Sequence, residues 1–260
     1  MEEELFDSLH RYGKRHWWFR GRRRVVFSLL DRYHRRREGR VLDLGCGVGT
    51  NLDELARYGE VWGADPSTKA LDFCRTFFPG RLDEVWLPQK VPYADASFDL
   101  ITMLDVLEHV EDDVGALQRV LRLLKPGGTL LLTVPALRWL WSQHDVEHHH
   151  FRRYHRGELR RKLLRLGFDV RFISYAMFLL LPAMGGARLL LRPQTWSARH
   201  LEPGTRGLAK PLEWIFSSER HLMRLAPLPI GGSLVAVARR PEDLVLEPWR
   251  EGQPLPAKHE

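Results

Sequence analysis

A chain of 260 residues is long enough for one large domain, or for one domain with a sizeable insertion, and too short for two full ones, because single cores stop growing at roughly 250–300 residues. With 44% hydrophobic and 28% charged residues, 21 Gly and 16 Pro, the composition excludes collagen-like, low-complexity and wholly disordered chains. Forty Lys and Arg against 33 Asp and Glu leave +7, which favours anionic partners but falls short of a dedicated nucleic-acid clamp.

Residues 1–39 read as an N-terminal helical cap: the cluster His16-Trp17-Trp18-Phe19-Arg20-Gly21-Arg22-Arg23-Arg24 runs into Val25-Val26-Phe27 and Leu29-Leu30 at helical spacing. From residue 40, short apolar runs bounded by Gly, Asp or Pro alternate with longer amphipathic segments, the pattern of βαβ units and a parallel sheet. Strands are expected at 40–44, 60–64, 84–87, 98–104, 128–134, 169–174 and 233–239, with helices at 51–58, 69–77, 114–124 and 156–166. This places an α/β core at 40–175 plus 233–240 and a helical insertion at 176–232, the latter too long for a turn and too apolar for a linker. Within it the apolar run 176–191 is broken by Pro182, Gly185, Gly186 and Arg188, so a membrane span is not expected, since a span needs about 20 apolar residues. Contact with a bilayer surface, a pocket wall or a homodimer contact are the readings left for it. Pro241 onward reads as an extended tail.

Two cysteines, Cys46 and Cys74, build no disulfide framework and point to a reducing compartment. Met-Glu-Glu-Glu at the start lacks the basic and apolar regions of a secretory signal, so a cytoplasmic location is expected.

The chemistry centres on Val41-Leu42-Asp43-Leu44-Gly45-Cys46-Gly47-Val48-Gly49-Thr50-Asn51, a strand that enters a glycine-rich turn and then a helix. Glycines at 45, 47 and 49 let the backbone bend sharply and approach a ligand where a Cβ would collide. Thr50 takes the place of the third glycine of the G-x-G-x-x-G fingerprint, which disfavours pyrophosphate binding and dinucleotide-dependent oxidoreduction. About 20 residues on, Asp65-Pro66 closes the next strand with a carboxylate placed to accept hydrogen bonds from ribose hydroxyls.

The ordered set 42–49, Asp65, Val91-Pro92-Tyr93-Ala94-Asp95-Ala96-Ser97-Phe98-Asp99, Leu107-Glu108-His109-Val110 and Leu124-Lys125-Pro126-Gly127-Gly128 resembles the class I S-adenosylmethionine-dependent methyltransferases. The resemblance implies a Rossmann-like seven-stranded, mostly parallel sheet with its last strand antiparallel and helices on both faces. It implies S-adenosyl-L-methionine as cofactor, held by Asp43, Gly45, Cys46, Gly47, Gly49, Asp65 and Pro66, with Leu104 and His109 beside it. Where that family places an adenine-binding Asp this chain has Leu87-Pro88-Gln89-Lys90, so Leu87 and Pro88 are expected to serve. Residues 16–23, 139–145 and 150–154 are similar to a bacterial group, of methyltransferase type 11/12, associated with polysaccharide and glycan biosynthesis.

Methyl transfer needs alignment first, and proximity alone can supply about 7–11 kcal/mol. The acceptor-side candidates are Asp105, Glu108, His109, His144, Asp145 and His150, with His144, His150 and Asp145 the expected catalytic group because an imidazole can take a proton near neutral pH. Read alone, each fits a structural hydrogen bond equally well. Arg152, Arg153, Tyr154 and Trp17 are expected to bind a small acidic or glycan- or lipid-linked acceptor. No metal is expected: His144/His148 and Asp145/His149 have i, i+4 spacing, but Arg152, Arg153 and Arg156 would repel a divalent cation. Trp17, Trp18 and Phe19 read either as a lid or as the anchor of a terminal helix. The alternatives to a small acceptor are RNA, on the strength of the charge and the aromatic–Arg clusters, and a non-catalytic cofactor-binding module.

Overall fold

A computed structural model describes residues 13–182 and 207–246; the rest of the expected tail and residues 183–206 of the expected insertion lie outside the described residues. Seven strands, β1 (Arg40–Leu44), β2 (Glu60–Asp65), β3 (Arg81–Glu84), β4 (Phe98–Leu104), β5 (Leu124–Pro135), β6 (Asp169–Ala176) and β7 (Ser233–Arg239), form one sheet of order β3-β2-β1-β4-β5-β7-β6. All neighbours are parallel except β7, which runs antiparallel to both β5 and β6. Every residue of β4 is buried, as a central parallel strand covered on both faces requires. The order reverses between β1 and β4, and in open α/β sheets the crevice above that switch point is where ligands bind.

The helices are α1 (Trp17–Tyr33), α2 (Leu52–Leu55), α3 (Thr68–Arg75), α4 (Asp113–Leu123), α5 (Gln143–Glu147), α6 (Arg156–Arg165) and α7 (Ala209–Leu225). α1 turns Val25, Val26, Leu29 and Leu30 inward and packs against α7. Gly21 permits the approach, since a Cβ there would lie 2.6 Å from a ring carbon of Phe216. Arg20 and Arg24 clamp the pair through Glu213 at 3.0 Å each. Among the described residues no helix is long and apolar enough to cross a membrane.

β2 and β6 run one and two residues past their expected ends, and two strands depart by more. β3 begins and ends three residues early, at 81–84 rather than 84–87, because Trp86 and Lys90 exchange main-chain hydrogen bonds (2.9 and 2.7 Å) and turn the chain around Pro88. β5 starts four residues early, at Leu124, which pairs with Phe98 before a register shift carries the ladder past the Lys-Pro-Gly-Gly segment.

His34, just beyond α1, is 3% exposed with Nδ1 3.1 Å from Thr129 Oγ1. Burial, the largest cause, pushes its pKa down from 6.5 to about 4. A base with a lowered folded pKa contributes stability that is present above pH 6.5 and lost as pH falls towards 4. Urea melts of His34→Gln are therefore expected to lose up to about 3 kcal/mol of the wild-type difference between pH 7 and pH 4. An acid dependence identical to wild type contradicts this assignment.

Candidate active site

Main-chain bonds from Gly45 and Cys46 N–H to the Ala64 carbonyl (2.7 and 2.9 Å) lock the turn after β1 to the end of β2. Gly45 (φ 78°), Gly47 (φ 52°) and Gly49 (φ 70°) all lie in the left-handed region. Gly45 and Gly49 are also short of room, with a Cβ 2.3 Å from Val106 and 2.8 Å from Cys74 Sγ respectively. Gly47 is different: nothing lies within 4 Å of its Cβ position, so its bare backbone borders open space that a ligand can enter. The Cys46 thiol is buried against Cys74, leaving its main chain to the turn.

Asp65 is 8% exposed and accepts the Gly47 N–H on Oδ2 (2.8 Å) and the Ser67 N–H on Oδ1 (2.9 Å). Burial raises its pKa and the two amides oppose that rise. Each carboxylate oxygen keeps a further lone pair, the capacity a diol needs. Asp43, 1% exposed, accepts from Thr102 Oγ1 at 2.6 Å, while its Oδ2 has no partner among the described residues. Burial pushes the Asp43 carboxyl up to about 6, against the pull of Thr102 and Arg22. The turn, the open face of Gly47, the diol acceptor and the orphaned oxygen fit an adenosyl group carrying an amino acid. Pro66 is exposed beside Asp65, and Leu87 and Pro88 are half-buried beyond β3. Leu104 ends β4.

The chain leaves β4 through Asp105, a non-glycine residue at φ 58°, a strained conformation of the kind that clusters at functional sites. Its Oδ1 accepts from Thr133 Oγ1 at 3.0 Å and its Oδ2 from Arg22, whose guanidinium lies 4.7 Å from the Trp18 ring centroid. Thus α1 covers the end of β4, and Gly13 approaches Thr50 beside the turn. A recess of about 10 Å³ lies between Trp18, Arg22, Asp105, Thr133 and Phe216. Arg22, 83 residues from its partner, carries no local signal that marks it.

Beyond β5, Asp145 and His150 come together, with the His144 ring centroid 6.2 Å from that of His150. His150 Nδ1 sits 2.9 Å from Asp145 Oδ1. Asp145, 0% exposed, also takes Arg153 in a two-pronged pair (2.7 and 2.9 Å) and the Ser142 N–H (2.8 Å). Burial alone would raise the Asp145 pKa; the bonds from His150 and Arg153 outweigh it and hold the carboxyl well below its usual range. Asp145 is therefore a positioning group, closed off from any acceptor. The His150 ring meets His109 edge-on at 4.7 Å, and His144 lies tilted against His148 at 4.1 Å. Burial and then His148 push His144 down to about 4. Glu108 is 1% exposed, and neither carboxylate oxygen has a partner among the described residues.

The expected acceptor-binding residues are placed otherwise. Arg153 is buried on Asp145 and on the Ala136 carbonyl (3.1 Å), and Tyr154 is 0% exposed with its hydroxyl donating to Asp113 at 2.8 Å. Arg152 binds Asp113 (3.1 Å) and the Glu111 carbonyl (2.6 Å). Two interior carboxylates claim side chains that looked free in the linear sequence. Trp17 is half-buried, packed on the core beside His16.

The family model described as "Methyltransferase domain" matches residues 18–171. A ubiquinone biosynthesis O-methyltransferase of Paracidovorax citrulli is 41% identical over 96 residues, 34% of this chain and 40% of that protein. A Mycolicibacterium smegmatis protein named "Probable S-adenosylmethionine-dependent methyltransferase" is 31% identical over 167 residues, 61% of this chain and 62% of the relative. The chain thus spans less than two thirds of the length of these relatives. A Haemonchus contortus phosphoethanolamine N-methyltransferase, solved with phosphomonomethylethanolamine and S-adenosylhomocysteine, superposes with a TM-score of 0.55 at 18% identity, covering 90% of this chain and 59% of that one, a likeness of fold. With more than half its residues under that family model and a cradle that suits the family's cofactor, S-adenosylmethionine, the chain belongs to the methyltransferase-domain family.

Proposed function

We propose that this chain transfers a methyl group from S-adenosylmethionine to an oxygen of a small acceptor, of glycan or lipid type. Bound at the turn, the sulfonium supplies an electrophilic methyl group for in-line displacement. The turn at 45–49 and Asp65 would hold the adenosine, the free oxygen of Asp43 would serve the amino-acid portion, and α1 with Arg22 would exclude water over the end of β4. The bound sulfonium would supply the methyl group to the acceptor oxygen, its C–S bond breaking as the C–O bond forms, and Asp105, Glu108, His109, His144 and His150 are the groups that would pass the hydroxyl proton towards solvent.

One observation carries the choice of acceptor: Asp105, Glu108, His109, His144 and His150 follow β4 and β5, while the nearby Arg152 and Arg153 are withdrawn onto Asp113 and Asp145 and Arg22 is paired with Asp105. Carboxylates and imidazoles suit a hydroxyl better than a phosphate or carboxylate. The O-methyltransferase named among the relatives is consistent with this. The expectation of an acidic acceptor held by Arg152 and Arg153 is accordingly not retained. The RNA alternative loses support in the same way, since Arg20, Arg24, Arg119, Arg122 and Arg153 are each tied to carboxylates.

Incubation with methyl-labelled S-adenosylmethionine and fractionated cell extract tests the reading. Label is expected in small or lipid-extractable molecules, in a linkage stable to base as an ether is. Label confined to RNA or protein, or no turnover despite cofactor binding, contradicts it.

A further inference from the structure

We propose that Glu108, His109 and His150 form a binding site for a divalent transition-metal ion. One potential ligand atom from each of the three lies within 4.8 Å of the others. Independently of that spacing, Glu108 is 1% exposed and, among the described residues, neither carboxylate oxygen has a hydrogen-bond partner on another residue. A buried carboxylate left bare costs several kcal/mol unless a proton, a cation or a hydrogen-bond donor meets it. A cation between the two imidazoles is a counter-charge that these residues are arranged to admit.

The surroundings support the site residue by residue. The Phe151 N–H donates to the Glu108 carbonyl at 2.8 Å, which pins the segment carrying His150 onto the turn carrying Glu108 and His109. His150 Nδ1 is engaged by Asp145, so Nε2 is the nitrogen left for a ligand, and Asp145 is itself fixed by Arg153 and Ser142. A carboxylate behind a ligating imidazole is the usual outer-shell device that sets the tautomer and orients the ring. The repulsion expected from Arg152 and Arg153 is largely removed, because Asp113 and Asp145 neutralise them; Arg22 is likewise paired, with Asp105.

Two nitrogens and one carboxylate favour a borderline ion such as Zn²⁺, Co²⁺, Mn²⁺ or Fe²⁺ over Mg²⁺ or Ca²⁺, which prefer oxygen throughout. Bonds of about 2.0–2.2 Å require the ligand atoms to draw together from their present spacing. Three protein ligands leave coordination positions open at the acceptor end of β4. An acceptor hydroxyl bound there would have its pKa lowered, giving an alkoxide-like nucleophile at neutral pH. That use rests on the proposed O-methylation; the site itself does not.

The test uses the full chain, stripped of metal and titrated with Co²⁺ under visible absorption, with Zn²⁺ as competitor. We expect one ion per chain with tetrahedral or five-coordinate ligand-field bands, bleached by Zn²⁺. Glu108→Gln keeps the side-chain shape and is expected to weaken binding at least about 30-fold, as is His109→Gln at the more open position, so the failure of one variant to fold leaves the other. A His144→Ala/His148→Ala variant, which removes the neighbouring imidazole pair, is expected to bind as wild type does. Wild-type affinity in a folded Glu108→Gln or His109→Gln, absence of binding by the wild-type chain, or loss of binding only in the His144/His148 variant overturns the proposal. The labelled-methyl incubation run alongside separates the two claims: binding of the cation without methyl transfer strikes the proposed function and leaves the site standing.

Discussion

Asp65→Ala is expected to weaken S-adenosylmethionine binding by two orders of magnitude or more. The carboxylate meets both Gly47 and Ser67 N–H groups, so its removal strands two donors and loosens the turn, which is then held to the end of β2 by the Gly45 and Cys46 main-chain bonds to Ala64. It also removes the acceptor proposed for the ribose diol. Hydrogen bonds to a charged group contribute about 1.5–3 kcal/mol each, and about 1.4 kcal/mol is a factor of ten, so the loss of the ribose contacts with a loosened turn reaches about a hundredfold. Asp65→Asn keeps the shape but offers only one oxygen to two amides, and an intermediate loss is expected. Calorimetric titration with S-adenosylhomocysteine gives the comparison, and an Asp65→Ala affinity equal to wild type contradicts the placement of the cofactor.

Arg153→Ala is expected to destabilise the fold by roughly 3–5 kcal/mol, the range for breaking a buried ion pair from one side. Asp145 is 0% exposed and its two oxygens take the guanidinium at 2.7 and 2.9 Å, so truncation leaves a charge inside the protein with only His150 and Ser142 to meet it. Against a total stability of about 5–15 kcal/mol that is a large share. The double variant Arg153→Ala/Asp145→Asn removes the stranded charge and is expected to recover part of the loss. Urea melts read both. Had Arg153 served the acceptor, as its sequence neighbourhood implied, the single variant would instead keep its stability and raise the acceptor KM.

That contrast shows where the sequence is informative. β1, β4 and β7 match their expected bounds because continuous apolar runs bounded by Gly and Asp state both their burial and their ends. The glycine turn and Asp65 are legible for the same reason, being a local backbone demand written in local residue types. The partners of Arg22, Arg152 and Tyr154 are not, since they are carboxylates 83, 39 and 41 residues away, met only when β4 and the segment beyond β5 come together. Glu108 is a sharper case. Its residue type marked it as a candidate, but its bare, buried state exists only in three dimensions. The early start of β5 likewise depends on a cross-strand pairing with Phe98 that the Lys-Pro-Gly-Gly sequence conceals.

The proposed function places the adenosyl group in the crevice between the turn at 45–49 and the end of β2. Hydrogen exchange with and without saturating S-adenosylhomocysteine tests it most directly. Slowed exchange is expected at the amides of residues 45–50 and 65–67, with the β6–β7 ladder unchanged. Protection confined to other parts of the chain, with 45–50 and 65–67 exchanging as in the free protein, would contradict it.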